Sequence, residues 1–210
     1  MRPRRLLVVT GTGTEIGKTW VSAHLARRLI TDGLTVAVRK PAQSFAAEDL
    51  LTDAHVLAEA SGDTPETVCP PHRWYPVPMA PPMAAAALGL PEPSLGDLVD
   101  EIGSGWPQTA TDVGLVEGAG GVASPQAVDG DTAELARLLD ADGAVLVADA
   151  GLGTINLVRL AMAALSPIRS VAFLNRYDDG DALHRANRQW LQSRDGFEVA
   201  VTVEELAAYT

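Results

Sequence analysis

Short apolar runs alternate with helix-period segments along most of this chain. Arg5–Thr10 reads as a strand around Leu6-Leu7-Val8-Val9. Lys18–Asp32 reads as a helix with Val21, Leu25, Leu29 and Ile30 on one face, and Gly33 stands where a helix-ending glycine belongs. A second strand is expected over Thr35–Arg39 and a helix over Glu48–Ala60. Thr64–Pro93 is crowded with proline, which disfavours regular helix or a central strand over much of it. A short helix over Pro82–Leu88 and another over Leu95–Ile102 are expected there and just after. The rest reads strand Val113–Glu117, helix Thr132–Leu139, strand Ala144–Ala148, helix Thr154–Leu165, strand Ser170–Leu174, helix Ala182–Ser193 and strand Phe197–Thr202.

Strands that are apolar throughout and alternate with helices predict an α/β fold, a single doubly wound and mostly parallel sheet with both faces covered. The 210 residues suit one domain over 1–210. In such sheets ligands bind beyond the carboxyl ends of the strands, so the residues that follow each strand carry the functional reading.

After the first strand stands Gly11-Thr-Gly-Thr-Glu-Ile-Gly17-Lys18-Thr19, one position away from the phosphate-binding spacing G-x-x-x-x-G-K-[ST]. The physics survives that offset. Amides at a helix start face an anion, Lys18 brings positive charge to the outer phosphates, and the Thr19 hydroxyl is placed for Mg²⁺. A glycine-rich turn with a chance lysine is the plain alternative. Lys40-Pro41 follows the second strand, and Asp53 lies on the next helix; each alone reads equally as a solvated charge. Glu117-Gly-Ala-Gly-Gly121 puts a carboxylate at a strand end, as a magnesium partner or as a turn cap. Asp149 leads into Ala150–Thr154, either an anion loop or a helix capped by Thr154.

Charge and composition narrow the classes. Sixteen basic against 27 acidic residues give a net charge of −11, which argues against general binding of a nucleic-acid backbone but not of one nucleotide. The single cysteine, Cys69, cannot form an internal disulfide and looks incidental. The four histidines lack metal-ligand spacing, and the four tryptophans read as partly buried packing residues. Met79–Met83 would cover either core or substrate. The apolar run after the basic start is too short for a signal core, and nothing approaches the length of a membrane span. The cytoplasm, with no membrane partner, is the expectation.

The motifs together resemble the dethiobiotin synthetase family, in order, over roughly residues 5–176. They are the glycine-rich loop 11–19, Lys40-Pro-Ala-Gln-Ser44, Asp53, Tyr75 with Pro78, Ala80 and Pro81, Val116-Glu-Gly-Ala-Gly-Gly121, Leu152-Gly-Thr-Ile-Asn156, and Asn175. The resemblance implies a P-loop NTPase-like fold and a homodimer with a shared active site. It implies ATP and Mg²⁺ as cofactors, and 7,8-diaminononanoate and CO₂ as substrates. An amine captures CO₂ as a carbamate, ATP phosphorylates it, and the second amine closes the cyclic urea. By the same resemblance Lys18, Lys40 and Thr14 are catalytic. Gly13, Thr14, Glu15, Ile16, Gly17, Lys18, Thr19 and Trp20 hold the nucleotide, with Glu117, Gly118, Ala119, Gly120 and Asn175, the last against adenine. Thr19, Asp53 and Glu117 gather Mg²⁺. Lys40, Ser44 and Gly118, with Gly153, Thr154 and Asn156 of the partner subunit's loop, hold the diamine.

The chain also departs from the family pattern. Gly13 stands in place of an aspartate, Phe45 of a glycine, and Pro82 and Leu157 of histidines. No glycine-x-x-proline ending follows Asn175; Val199–Val203 lies there instead. Departures on the substrate side leave open a related amidoligase-type enzyme or a paralogue with another acceptor. A nucleotide-switch ATPase is a further class, but it would favour an early lysine in the loop and a basic amphipathic tail. This chain has no lysine before Lys18 and ends in an acidic stretch. A degenerate binding module is the non-enzymatic reading, against which the five residues Lys18, Thr19, Lys40, Asp53 and Glu117 stand.

Overall fold

The computed structural model describes all residues 1–210. Six parallel strands form the sheet: β1 (Arg5–Gly11), β2 (Val36–Arg39), β5 (Val113–Glu117), β8 (Gly143–Asp149), β9 (Ser170–Asn175) and β10 (Glu198–Ala200), in the order β10-β9-β8-β1-β5-β2. Two small sheets stand apart, β3 (Gln43–Ser44) with β4 (Trp74–Tyr75) and β6 (Pro125–Ala127) with β7 (Gly130–Asp131). The helices are α1 (Lys18–Thr31), α2 (Asp53–Ser61), α3 (Pro65–Val68), α4 (Pro81–Ala87), α5 (Leu95–Gly105), α6 (Thr132–Leu138), α7 (Thr154–Leu165), α8 (Ala182–Ser193) and α9 (Val203–Ala207). The doubly wound parallel sheet expected from the apolar strands is the one observed. No helix is long and apolar enough to cross a membrane.

Strand alternation sends neighbouring side chains to opposite faces. Leu7, Val9, Leu115, Val145 and Phe173 pack with Val21, Leu25 and Leu29 of α1 and Leu57 of α2. Leu6, Val8 and Val116 turn the other way, onto Leu98 and Ile102 of α5 and Leu135 of α6. Farther along that face Leu146 and Leu174 meet Val158 and Leu165 of α7 and Leu191 of α8. Register places Val9 beside Glu117 on one flank and beside Val145 on the other. The carboxyl ends of the central strands therefore open on one mouth.

Four sequence expectations need correction. Helix α2 begins at Asp53, not Glu48, because Thr52 takes extended backbone and donates its N–H to His55 Nδ1 (3.3 Å), which stops the helix there. Ile30 is 40% exposed rather than part of the α1 core face. The tryptophans divide: Trp106 is buried, whereas Trp20 and Trp190 are nearly half exposed. The terminal segment after a shorter last strand forms α9, with the Thr202 hydroxyl accepting Glu205 N–H and Leu206 buried. Gly33 does end α1, in the left-handed region at φ 90°.

Phe173 is among the largest fully enclosed side chains and sits where β9 meets the α1 face. Phe173→Ala is expected to lower unfolding free energy by about 3–5 kcal/mol in urea denaturation. A loss under about 1 kcal/mol would mean that this face is not packed as described.

Candidate active site

The glycine-rich loop runs from the end of β1 into α1. Gly17 precedes the helix at φ 92°, and a side chain there would collide with the Asn175 amide, so glycine is required on two counts. Gly13 is different: a Cβ there meets nothing within 4 Å, so the loop geometry does not demand glycine at this position. Lys18 opens α1 and turns back across the loop, its Nζ donating to Gly13 O at 2.9 Å. The first N–H groups of a helix have no intrahelical partner, and they meet the cleft together with this ammonium.

Behind the loop is a charged cluster. Lys40, at the end of β2, is 2% exposed, and Glu117, at the end of β5, is fully buried. Lys40 Nζ lies 2.8 Å from Glu117 Oε1 and 2.9 Å from Asp53 Oδ2. Thr19 Oγ1 lies 2.8 Å from Asp53 Oδ1 and 2.9 Å from Glu117 Oε1, though its one proton serves one of them at a time. Ser22 Oγ donates to Glu117 Oε2 at 2.6 Å. Burial opposes the charge on Lys40, but Asp53 and then Glu117 outweigh it and raise its pKa above the ordinary lysine value. Lys40 in turn holds the Asp53 carboxyl below the usual range, with help from the Thr19 hydroxyl. Lys18 moves down, first by burial and then by repulsion from Lys40, with Glu117 and Asp53 opposing.

Lys18, Thr19, Lys40 and Asp53 border a cleft of about 630 Å³ that also takes in Thr14, Glu15, Ser44, Phe45, Ala119 and Gly120; Glu117 and Ser22 do not line it. Ser44 Oγ and Gln43 Nε2 are buried without a partner, as is Tyr75 OH nearby in the fold. Such orphans are uncommon, and Ser44 borders the cleft. Phe45 stands on the same wall, edge-on to Trp74 with ring centroids 6.4 Å apart. Met79 reaches the cleft too.

The donor set fits Mg²⁺. Two carboxylates and one hydroxyl converge, all hard oxygen donors, and a lysine ammonium already lies against both carboxylates. The chain has no cluster of three or more His, Cys, Asp or Glu that could hold a metal. Mg²⁺ does not need one, since it is commonly held by one or two carboxylates together with substrate phosphates.

Some expected residues lie outside this cleft. Trp20 points outward and stacks on His24 at 3.9 Å. Ile16 packs against the core, and its carbonyl accepts Asn175 Nδ2 at 2.8 Å. Gly118 is held by its N–H to Val9 O (3.0 Å) and abuts Thr132. Gly153, Thr154 and Asn156 do not border this chain's own cleft. Thr154 does not cap α7: Gly153 occupies that position, and Thr154 Oγ1 is buried without a partner. Asp149 pairs with Arg176 at 3.2 Å. Cys69 is buried, which pushes its thiol up to about 12 and leaves it inert.

Sequence reasoning passed over two residues at the site. Ser22 lies one helical turn beyond Thr19 on the same face of α1, a spacing that would have placed it by Glu117. Gln43 accepts Ala54 N–H at 3.0 Å, joining the Lys40 loop to α2. No local signal marks it, because the contact depends on where α2 docks.

Breaking a buried ion pair by removing one partner leaves an uncompensated charge. Lys40→Met is therefore expected to cost about 3–5 kcal/mol at pH 7, read by urea unfolding. Asp53 is depressed in the folded chain, so its contribution is present above its unfolded value of about 3.9 and is lost as pH falls through the folded value. The gap between wild type and variant should narrow below about pH 4. A gap that stays constant from pH 7 to pH 3 would show that the lysine does not act through this carboxylate.

A family model described as an AAA domain matches residues 5–210. The ATP-dependent dethiobiotin synthetase of Rhodococcus jostii (strain RHA1) is 44% identical over 162 residues, covering 77% of this chain and 68% of that protein. That of Streptomyces avermitilis is 41% identical, with 74% of this chain and 63% of that protein covered. That of Mycobacteroides abscessus is 35% identical, with 97% of this chain and 88% of that protein covered. Among solved structures, a plasmid partition protein from Borrelia burgdorferi aligns with a TM-score of 0.59 at 10% identity, over 99% of this chain and 98% of that one. Chloroplast FtsY from Physcomitrella patens aligns at 0.54 and 15% identity, over 99% and 65%. At such identity these two show a common P-loop fold and nothing more. With its loop, its Lys40–Asp53–Glu117 cluster and its relatives in agreement, the chain belongs to the ATP-dependent dethiobiotin synthetase family.

Proposed function

We propose that the cleft over the glycine-rich loop carries out the family's ring closure, converting 7,8-diaminononanoate, CO₂ and ATP to dethiobiotin, ADP and phosphate. The observation that carries this reading is the convergence of Lys18, Lys40, Thr19 and Asp53 on one cleft, with Glu117 buried against Lys40 and Thr19 and the orphaned Ser44 hydroxyl on the cleft wall. Phosphoryl transfer asks little covalent chemistry of a protein; it asks for alignment and charge compensation.

In this reading the loop from Gly13 to Thr19 cradles the phosphates, and Thr14 donates to the transferring group. Lys18 offsets the charge that builds on the phosphate oxygens. Lys40, held charged by its carboxylates, faces the carbamate and keeps it anionic and oriented. Thr19, Asp53 and Glu117 would hold Mg²⁺, which when bound supplies charge neutralisation of the phosphates. Ala119 and Gly120 let the ligands approach the backbone closely, and Ser44 orients the diamine.

The reading extends to one domain acting as a homodimer in the cytoplasm, where ATP is supplied. Support for the second copy comes from α7. Gly153, Thr154 and Asn156 lie off the chain's own cleft, and beside them Leu152, Leu157 and Leu160 are 92%, 46% and 64% exposed. A partner's substrate carboxylate at the start of α7 would use the amides there, while the leucines met the partner's surface. Phe45 favours a second reading, a paralogue with a narrower acceptor, because its ring occupies the cleft wall where the family carries glycine.

ADP release from Mg-ATP is expected to need both the diamine and bicarbonate, with dethiobiotin formed in step by mass. Lys18→Ala should lower that turnover by about 100-fold or more with the fold intact by circular dichroism. Nucleotide binding with no diamine-dependent product would move the assignment to the paralogue.

A further inference from the structure

Lys18 and Lys40 are the only lysines of the chain, and both border the cleft. Lys18 bonds a backbone carbonyl, Gly13 O. Lys40 is placed differently. Its Nζ bridges two carboxylates, 2.8 Å from Glu117 Oε1 and 2.9 Å from Asp53 Oδ2. Thr19 Oγ1 lies 2.9 Å from that same Glu117 oxygen, while Ser22 holds the other one, Oε2, at 2.6 Å. The backbone of Lys40 is fixed by its N–H to Val68 O at 2.8 Å. The flexible four-carbon stem is therefore the part with freedom to move.

The oxygens that the ammonium bridges are also those that a hard dication needs. Mg²⁺ draws its oxygen ligands to about 2.0–2.1 Å, much closer than an ammonium does. Two carboxylate oxygens drawn in that far leave no room for Nζ between them. Charge gives the same answer. A dication alone neutralises Asp53 and Glu117; a dication with the ammonium still in place leaves one positive charge in excess, beside a Glu117 that has no exposure to water. The ammonium has an exit, because Lys40 borders the cleft, with the unpartnered Ser44 hydroxyl on the same wall.

We propose that the Lys40 ammonium and the divalent cation are alternatives at one seat: Lys40 holds Asp53 and Glu117 together as their resident counter-ion, and it swings out of the ion pair into the cleft when the two carboxylates take the metal. This rests on the reading of Thr19, Asp53 and Glu117 as the metal's donors. It makes Lys40 a placeholder that keeps the seat formed, and it couples metal loading to the delivery of the lysine that faces the carbamate. It also makes the free chain a weak binder of the bare cation, since every metal bound must first displace an ion pair.

The test follows metal binding to the full chain without nucleotide. Mn²⁺, which suits the same oxygen donors, is titrated and its free fraction read by electron paramagnetic resonance. Lys40→Met should bind Mn²⁺ at least about 10-fold tighter than wild type, the reverse of what losing a site residue ordinarily does. Mg²⁺ should also restore most of the urea stability that Lys40→Met loses, and add much less to wild type. Lys18→Met removes an equal charge that bonds Gly13 O rather than a carboxylate, and should change Mn²⁺ affinity by no more than about 3-fold. Wild type gives an independent reading that stands even if Lys40→Met does not fold. A buried, ion-paired ammonium is a poor nucleophile, so reductive methylation read by peptide mass should label Lys40 at least about 3-fold faster in saturating Mg²⁺, with Lys18 unchanged. Unchanged or weaker Mn²⁺ binding by Lys40→Met would overturn the proposal. So would equal tightening by Lys18→Met, or Lys40 labelling that Mg²⁺ leaves unchanged. Dethiobiotin formed by a chain that fails these tests would sink the exchange alone. A chain that passes them and forms no dethiobiotin would keep the exchange and sink the ligase reading.

Discussion

The ion cluster of Lys40, Glu117 and Asp53 is the constraint around which the active cleft is arranged. A fully enclosed carboxylate on β5 is tolerable only with a cation and hydrogen-bond donors against it. Lys40 supplies the cation from β2, the neighbouring strand, and Ser22 and Thr19 supply hydroxyls from α1. Three elements distant in sequence are therefore held at fixed separations by one buried charge. The same demand orders the chemistry, since groups that satisfy Glu117 are also those that a triphosphate and its metal would meet. The cluster gives weak support to stability, given what desolvating it costs, and strong support to geometry.

Geometry in turn depends on parallel register. Val9 lies opposite Glu117, and Arg39, next to Lys40, lies opposite Val116, so strands β1, β5 and β2 deliver their last residues to one level. One residue of slip would send Glu117 to the other face of the sheet and leave Lys40 without one of its two carboxylates. The apolar faces resist that slip: Leu115 meets the α1 side and Val116 the α5 side. Ordinary hydrophobic packing thus fixes the position of an extraordinary charge.

What was legible in the sequence follows from the same logic. The phosphate loop, Lys40 and Glu117 could be found because each stands at the end of a strand whose apolar run is local and strong, whereas Asn175 was named by resemblance. The early start assigned to α2 failed because apolar periodicity continues through Glu48–Leu51, while the actual boundary is a backbone turn at Thr52 held by His55. Helix α9 was hidden for the opposite reason: five residues carry too little periodicity, and burial of Leu206 against the α1 face, a tertiary contact, supports it. Ser44 was named by resemblance, but only the fold shows its hydroxyl buried and unpartnered. The pairing of β3 with β4 needs the proline-rich segment to return across the Lys40 loop, which no local pattern specifies.

The rim of the loop shows how a surface charge acquires a positional role. Arg176 is more than half exposed, and an exposed ion pair such as that with Asp149 adds little stability by itself. Yet the residue holds a left-handed backbone and reaches Glu15, itself left-handed at φ 58°, inside the loop. Strain of this kind persists where surrounding contacts over-determine it, and here the contacts run from β9 to the phosphate loop and to the strand end at Asp149. Asp149 then accepts Gly151 N–H at 2.9 Å, at the head of the segment leading into α7. A single guanidinium therefore joins the two glycine-rich turns. Its position matters through the orientation of those turns rather than through its own binding energy.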